Sequence, residues 1–482
     1  MSTESIDQVV QEAMRRAREA QAVAESWTQE RADDVLAAVG WNCYREDNAR
    51  RLAELSYSET RLGDPEHLYV LQRKRVLGQL YDLHGQRTVG VVEELPQLGL
   101  RRIAKPVGVI AVASPATAPS PGIICHALPM LKTRNAVVFT PNPRARRAAE
   151  ETVAVIRAGL VEAGAPADLV QCLEVGGREA AESLMAHADL VVAVGGPGTV
   201  RRAYASGTPA IGAGVGNSTV IVDETSDVRE AARAVHTGAG YNNGTSCSSE
   251  SNVLVHRSVA DEFRAELLRS YAHLCTRAET DRLREALWPD GRGLNRHLIG
   301  RSAEAIAAAA GISLATPDKT TALVLHCEDP QLDDPILGEK LSPVVTLAVY
   351  DDFDQAVEWT KDILDRCGRG HSCGLYSTSA ARVSKLAERI PTCRVVLNQS
   401  TMTNAGSFDS GVPFTNTLSS GTWGGTSLSG NVTWRSYLNL TTVTWPIVER
   451  RPDEELIFGR YWGGTAGLPY NDARSHELEN AL

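Results

Sequence analysis

No apolar run in this 482-residue chain approaches the roughly 18 residues that a helix needs to cross a bilayer. A membrane-spanning protein of the helical kind is therefore not expected. The first residues, Met1-Ser2-Thr3-Glu4, are polar and acidic and do not read as a signal peptide. Nine cysteines form an odd, scattered set without a Cys-x-x-Cys pair. That pattern argues against a disulfide framework and against a structural metal, and it points to a reducing cytoplasm. There is no basic excess: the net charge is −10 and the pI near 5.7, so a nucleic-acid partner is not expected. Internal repeats and low-complexity tracts are absent as well. A hydrophobic content of 43% and a charged content of 22% are those of a soluble globular protein, long enough for two or three domains.

Along the chain, Ile6, Val9, Val10, Ala13, Met14 and Ala17 recur on one helical face. Two readings fit them: a helix packed on its own domain, or a targeting helix for a larger assembly. A second helix is expected from Arg31 to Gly40. Thr88–Leu95 and Leu100–Ile103 flank a Pro/Gly turn and predict a hairpin whose edge a partner subunit would cover. From Pro106 strands and helices alternate: Val107–Val112, Ala136–Phe139, Leu190–Val194, Pro209–Ile211 and Thr219–Val222 read as strands. This is the pattern of a parallel sheet covered on both faces, as in a nucleotide-binding domain. A second α/β unit begins after about residue 226. Residues 398–430 read as a long loop of the kind that lines a site. Residues 431–448 read as a strand, and the last 30 residues as an extended polar tail.

The chemistry centres on Asn242-Asn243-Gly244-Thr245-Ser246-Cys247-Ser248-Ser249-Glu250. It sets one thiol among small polar residues, between a predicted helix and the strand Val253-Leu254-Val255. A nucleophile would be placed there, and an ordinary loop cysteine would fit as well. Gly195-Gly196-Pro197-Gly198 suits a close backbone approach to a dinucleotide phosphate and equally a plain turn between strand and helix, and Gly212-Ala213-Gly214-Val215-Gly216-Asn217 is a second glycine-rich turn. Neither is a Gly-x-Gly-x-x-Gly fingerprint, and no carboxylate follows the first at the usual distance of about 20 residues. His371 could serve as a base or be a satisfied core or surface histidine. Glu339 could be a surface charge or an acceptor for a sugar hydroxyl.

Eight segments occur in a fixed order: Lys132–Asn135, Val194–Gly198, Pro209–Gly212, Gly216-Asn217, the Cys247 loop, Glu339-Lys340-Leu341-Ser342-Pro343, Gly370-His371-Ser372 and Gly421-Thr422-Trp423-Gly424-Gly425. Together they resemble the coenzyme A-acylating branch of the aldehyde dehydrogenase superfamily. That branch includes the aldehyde half of bifunctional alcohol/aldehyde dehydrogenases and the acylating sulfoacetaldehyde dehydrogenases. The resemblance implies an α/β fold with a Rossmann-type cofactor domain (1–85 and 103–225), a catalytic domain (226–430), a β-strand oligomerisation flap (86–102 and 431–450) and a tail (451–482). It implies a homodimer or dimer of dimers. It also implies Cys247 as nucleophile, and a nicotinamide cofactor near Thr140-Pro141-Asn142-Pro143, Gly196, Pro197, Gly198, Gly212 and Glu339, with Glu339 on the ribose.

On that reading the Cys247 thiolate attacks an aldehyde, hydride passes to NAD or NADP, and the enzyme thioester is handed to coenzyme A. Hydrolytic relatives carry a glutamate where Ala213 stands, so the base for water is missing here. His371 would assist proton transfer. The Thr-Asn-Pro of relatives is Thr117-Ala118-Pro119 in this chain, which leaves the Thr117 hydroxyl or the backbone to meet the oxyanion. The small polar loop residues, among them Ser400, Thr401 and Asn404, suit a short or polar and even anionic aldehyde. Arg394 and Arg435 are candidates to meet an anionic group. Two other functions compete: an aldehyde dehydrogenase that releases a free acid, for example from an aromatic aldehyde, and a non-catalytic nucleotide-binding or assembly protein of the same fold.

Overall fold

A computed structural model describes residues 3–461, apart from 292 and 332. Four helices open the chain: α1 (Thr3–Glu25), α2 (Gln29–Tyr44), α3 (Glu46–Thr60) and α4 (Pro65–Leu83). Val10, Ala13, Met14, Ala17, Ala20 and Ala24 make the apolar stripe of α1, and all six are buried in the first hydrophobic core. The stripe is thus occupied within this chain, which favours the packed helix over the targeting helix. The side chain of Asp64 caps α4 by accepting the His67 N–H at 3.0 Å, with Pro65 at the first helical position.

Two strands follow, β1 (Gly90–Leu95) and β2 (Leu100–Pro106), joined by a turn at Pro96–Leu98 as the sequence predicts. The chain then enters a parallel sheet built from β3 (Val109–Ala113), β4 (Ala136–Thr140), β5 (Val170–Cys172), β6 (Leu190–Val194) and β7 (Ala210–Ala213), in the order β5-β4-β3-β6-β7. Ile110, Val112, Val137, Phe139, Val191 and Val192 are fully buried, because helices cover both faces. These helices are α5 (Pro119–Lys132), α6 (Arg146–Glu162), α7 (Arg178–His187) and α8 (Pro197–Ala205). The strand order runs outward from β3 in one direction and then from β6 in the other. The crevice beyond the C-terminal ends of β3 and β6 is therefore the switch point where ligands bind in doubly wound sheets.

The chain leaves this sheet at Gly214–Asn217 and enters a second parallel sheet. Its strands are β8 (Ser218–Val222), β9 (Glu250–His256), β10 (His273–Leu274), β11 (Leu323–His326), β12 (Val344–Tyr350), β13 (Cys373–Tyr376) and β14 (Val395–Leu397), in the order β10-β11-β12-β9-β8-β13-β14. The sequence reading assigned Thr219–Val222 to the first domain. Its hydrogen bonds run instead to β9 and β13, so the crossing precedes residue 218 and not residue 226. An all-apolar strand carries no mark of which sheet it joins. The helix α9 (Val228–Gly240) follows β8 and delivers the chain to the cysteine loop.

Residues 398–430 are largely loop, as expected, with β15 (Leu418–Ser420) paired to β16 (Ser429–Asn431). The strand expected over 431–448 is shorter: Trp434–Tyr437 form a 3-10 turn, and β17 covers Leu438–Thr444. Tyr437 is buried, and its carbonyl accepts from the Asn135 side chain at 2.8 Å, which fixes the turn.

Residues 91–103 and 440–461 make a second compact unit. Its sheet has the order β1-β2-β17. Of the expected extended tail, Glu454–Phe458 is a short helix, and residues 462–482 lie outside the described residues. Among the described residues no helix is long and apolar enough to cross a membrane.

Phe139 is fully buried on β4, an inner strand of the first sheet. Phe139→Ala should lower stability by about 3–5 kcal/mol, read as a lower urea midpoint. An unchanged midpoint would mean that this core is not packed as described.

Candidate active site

The cysteine loop is held on both sides. Asn242 and Asn243 adopt left-handed backbone angles, with φ of 49° and 52°, which asparagine tolerates better than most residues. Upstream, Asn242 Oδ1 accepts the Asp64 N–H at 2.9 Å, and the Asn242 N–H donates to His67 Nδ1 at 3.0 Å. The loop is thereby fastened to the start of α4. Downstream, the Ser248 hydroxyl donates to Asn404 Oδ1 at 2.6 Å, and Thr401 Oγ1 donates to the Ser248 carbonyl at 2.7 Å. The buried Glu250 accepts from the Ser400 hydroxyl at 2.7 Å and from the Thr401 N–H at 2.8 Å. A thiol on an irregular segment is thus given a fixed position.

The crossing between the sheets closes on the same point. A Cβ added to Gly216 would lie 1.9 Å from the Cys247 carbonyl oxygen, so only glycine fits there. The Gly216 N–H in turn donates to Glu339 Oε1 at 3.1 Å. Next to Glu339, the buried Lys340 donates from Nζ to the carbonyls of Ser251 at 2.9 Å and Gly338 at 3.1 Å, which anchors the segment.

Cys247, Glu339, Thr117, Gly195, Gly196 and Arg75 share one cleft of about 250 Å³. It lies at the ends of β3 and β6, the switch point of the first sheet. Pro197 lines an adjoining cleft of about 700 Å³, which shares Gly214 and Val215 with the first. The geometry fits a dinucleotide. A Cβ at Gly196 or Gly214 would meet no protein atom, so open space lies against bare backbone there. At the same place α8 begins Pro197-Gly198, where first-turn amides suit a phosphate. Thr140 and Pro141 lie at the end of β4, Asn142 and Pro143 just beyond it, and none of the four lines either cleft. Gly212 is buried within β7, where a Cβ would meet Val200 and Tyr204 of α8.

His371 is not in the cleft. It is fully buried, with Nδ1 against the Ser372 hydroxyl at 2.9 Å and Nε2 without a partner among the described residues. Burial, and then the Arg394 guanidinium, push its pKa down to about 3, so the ring is neutral. Arg394 is spent on the chain itself, donating to the His371 carbonyl at 2.7 Å, the Ser419 carbonyl at 2.9 Å and Asn431 Oδ1 at 2.7 Å. Arg435 is exposed and lies over the Trp434 ring at 4.5 Å. The basic residue that does line the cleft, Arg75, sits in the ordinary-looking run Arg73-Lys74-Arg75 of α4. No sequence signal separates it from its neighbours.

The charge state of the cleft is unusual. Burial pushes the Glu339 carboxyl up to about 8, against the Gly216 N–H that favours its ionised form. Burial and then the Glu339 carboxylate push the Cys247 thiol up to about 12. At neutral pH both are uncharged, and the cleft carries the positive charge of Arg75. It offers a thiol, a neutral acid and a cation, together with backbone amides; the Cys247 N–H donates to no carbonyl of the described chain.

A model of the aldehyde dehydrogenase family matches residues 3–284. The chain is similar to an acylating sulfoacetaldehyde dehydrogenase of Bilophila wadsworthia, at 38% identity over 94% of this chain and 98% of that protein. It is similar to an acetylating succinate-semialdehyde dehydrogenase of Clostridium kluyveri, at 35% identity over 93% of this chain and 99% of that one. Its fold matches the crystal structure of an acetylating aldehyde dehydrogenase from Geobacillus thermoglucosidasius, with a TM-score of 0.89 and 28% identity over 94% of this chain and 99% of that one. The chain belongs to the aldehyde dehydrogenase family, in its coenzyme A-acylating branch.

Alkylation of Cys247 by iodoacetamide in the unliganded protein should speed up between about pH 7 and about pH 9 as the thiolate fraction grows, by less than tenfold per unit because Glu339 ionises in the same range. Glu339→Gln removes the carboxylate that repels the thiolate. It should match the parent below the Glu339 pKa of about 8 and react faster above it. A slower variant at high pH would contradict the stated charge coupling.

Proposed function

We propose that this chain converts a short, polar aldehyde to its coenzyme A thioester through a covalent adduct on Cys247, and catalyses the reverse reduction by the same route. As a member of the acylating branch it is an enzyme, interconverting an aldehyde and its acyl-CoA with NAD or NADP. Cys247 Sγ, once its proton has passed to solvent, forms a bond to the aldehyde carbon, and the electron pair of the carbonyl π bond moves to the oxygen, which becomes an oxyanion. The Cys247 N–H and the Thr117 hydroxyl are the donors assigned to it. Gly196, Pro197, Gly198 and Glu339 are assigned to the nicotinamide cofactor, which when bound supplies the hydride acceptor.

The observation that carries the reading is the lining of the cleft, in which Glu339, held through Oε1 by the Gly216 N–H, is the one carboxyl among the described residues. Ala213 supplies none, and Glu339 is neutral below about 8. Burial disfavours the ionised Glu339 that would draw a proton from water, so an acyl group on Cys247 waits for the thiol of coenzyme A. A cleft of about 250 Å³ lies below the roughly 300–1,000 Å³ of drug-sized sites and suits a short aldehyde. The relatives named for sulfoacetaldehyde and succinate semialdehyde support a short, polar substrate here.

Self-association through the second unit is part of the proposal. Among the described residues its sheet β1-β2-β17 is open at both edges, and Leu440, Val443, Trp445 and Ile447 are exposed. Nine free thiols support a reducing compartment, the cytoplasm.

The test follows reduced nicotinamide by its near-ultraviolet absorbance, with an aldehyde panel, NAD or NADP, and coenzyme A present or omitted. Turnover should require coenzyme A, and Cys247→Ser should lower it by about a thousandfold or more. Sustained turnover without coenzyme A would make the enzyme a hydrolytic one. Light scattering should give a dimer or larger, and Val443→Lys should shift it toward monomer; a monomeric parent would end the association proposal.

A further inference from the structure

Arg75 projects from α4 into the cleft together with Leu71, one helical turn before it on the same face. Its Nη1 donates to the Thr415 carbonyl at 3.1 Å and to the Ala405 carbonyl. A guanidinium has five N–H donors, and Nη1 accounts for two of them. The other three, on Nε and Nη2, meet no acceptor of the described chain, and no described carboxylate forms an ion pair with Arg75. The two carbonyls belong to the loop that also braces Ser248 and Glu250. The cation is therefore held in place by neutral groups and left without a counter-ion. Lys74 beside it adds a second positive charge, with Asp409 as its acidic neighbour. The remaining wall is apolar or neutral, with Pro115, Pro121, Tyr241 and Met402. A half-buried, unpaired guanidinium in such a cleft is costly unless the ligand brings the anion.

Resting on the acylating reading above, we propose that Arg75 is the residue that selects the substrate, by binding the terminal anion of a short ω-carboxylate or ω-sulfonate aldehyde whose carbonyl carbon is on Cys247. The guanidinium fork matches a carboxylate or sulfonate through two parallel hydrogen bonds. Because thiol and cation share a cleft of about 250 Å³, the linker between aldehyde and anion is short, roughly one to three carbons. The neutral Glu339 adds no repulsion toward such an anion at neutral pH.

The experiment compares kcat/KM, with coenzyme A present, for sulfoacetaldehyde, succinic semialdehyde, propionaldehyde and butyraldehyde in the parent, Arg75→Met and Arg75→Lys. The parent should prefer the better anionic aldehyde over the neutral ones by about 100-fold, as expected for a partly buried charge pair. The two anionic compounds separate sulfonate from carboxylate. Arg75→Met should bring the ratio to within severalfold of unity, chiefly through KM, and Arg75→Lys should restore part of it. Coenzyme A-dependent turnover of neutral and anionic aldehydes at similar kcat/KM in the parent would overturn the role of Arg75 and leave the acylating reading standing. So would an unchanged ratio in Arg75→Met. A second measurement does not depend on turnover: calorimetric binding of ethanesulfonate and propionate to the parent and to Arg75→Met. Binding to the parent that Arg75→Met loses supports the proposal even if the acylating reading fails. Equal binding to both, or none to either, overturns it.

Discussion

Where the chain passes from one sheet to the other, Gly216 lies so close to the Cys247 carbonyl that no side chain fits between them. The rest of the site depends on this approach. It sets the glycine turn after β7 against the thiol, and it lets the Gly216 N–H reach Glu339 on a third segment. Three stretches far apart in sequence are thereby fixed within one small cleft. The loop itself is too irregular to hold a position alone. Side-chain bonds to α4 on one side and to the Ser400–Ala405 turn on the other make up the difference. Precision at the thiol comes from packing and hydrogen bonding of the surrounding elements.

Burial decides what those groups can do. A carboxylate ionised beside the thiol would activate water and repel an anionic substrate. In this cleft the carboxyl is kept neutral by desolvation, and the charge that remains is a guanidinium held by carbonyls. One electrostatic arrangement thus serves two ends: it withholds a base from water, and it leaves a cation for a substrate anion. The raised pKa of Cys247 means that the nucleophile is not standing as a free thiolate in the unliganded protein.

Much of the fold was legible because buried parallel strands announce themselves. Val109–Ala113, Ala136–Thr140 and Leu190–Val194 are continuous apolar runs between helices, and the reading found each of them. The hairpin at residues 90–106 was marked by its Pro/Gly turn. Legibility stopped where a decision depends on distant partners. Val220 and Ile221 are apolar in either sheet, so their assignment to the first domain could not be checked locally. The same limit governs the site. Cys247 stood out because small polar residues surround it in sequence. Arg75 did not, since its relation to the cleft is made by α4 packing and by two carbonyls more than 300 positions away. Arg394 and His371, both singled out, are buried together and line no part of the cleft, although the Arg394 guanidinium is near enough to favour the Cys247 thiolate, which no local pattern foretells.

The central claim is that an acyl group rests on Cys247 and waits for a thiol. The most direct measurement is peptide mass spectrometry of the protein after incubation with a turned-over aldehyde and oxidised nicotinamide, without coenzyme A. The account predicts an acyl mass on the Cys247 peptide that persists, and that disappears as acyl-CoA forms when coenzyme A is added. An unmodified Cys247 with steady release of free acid would contradict it.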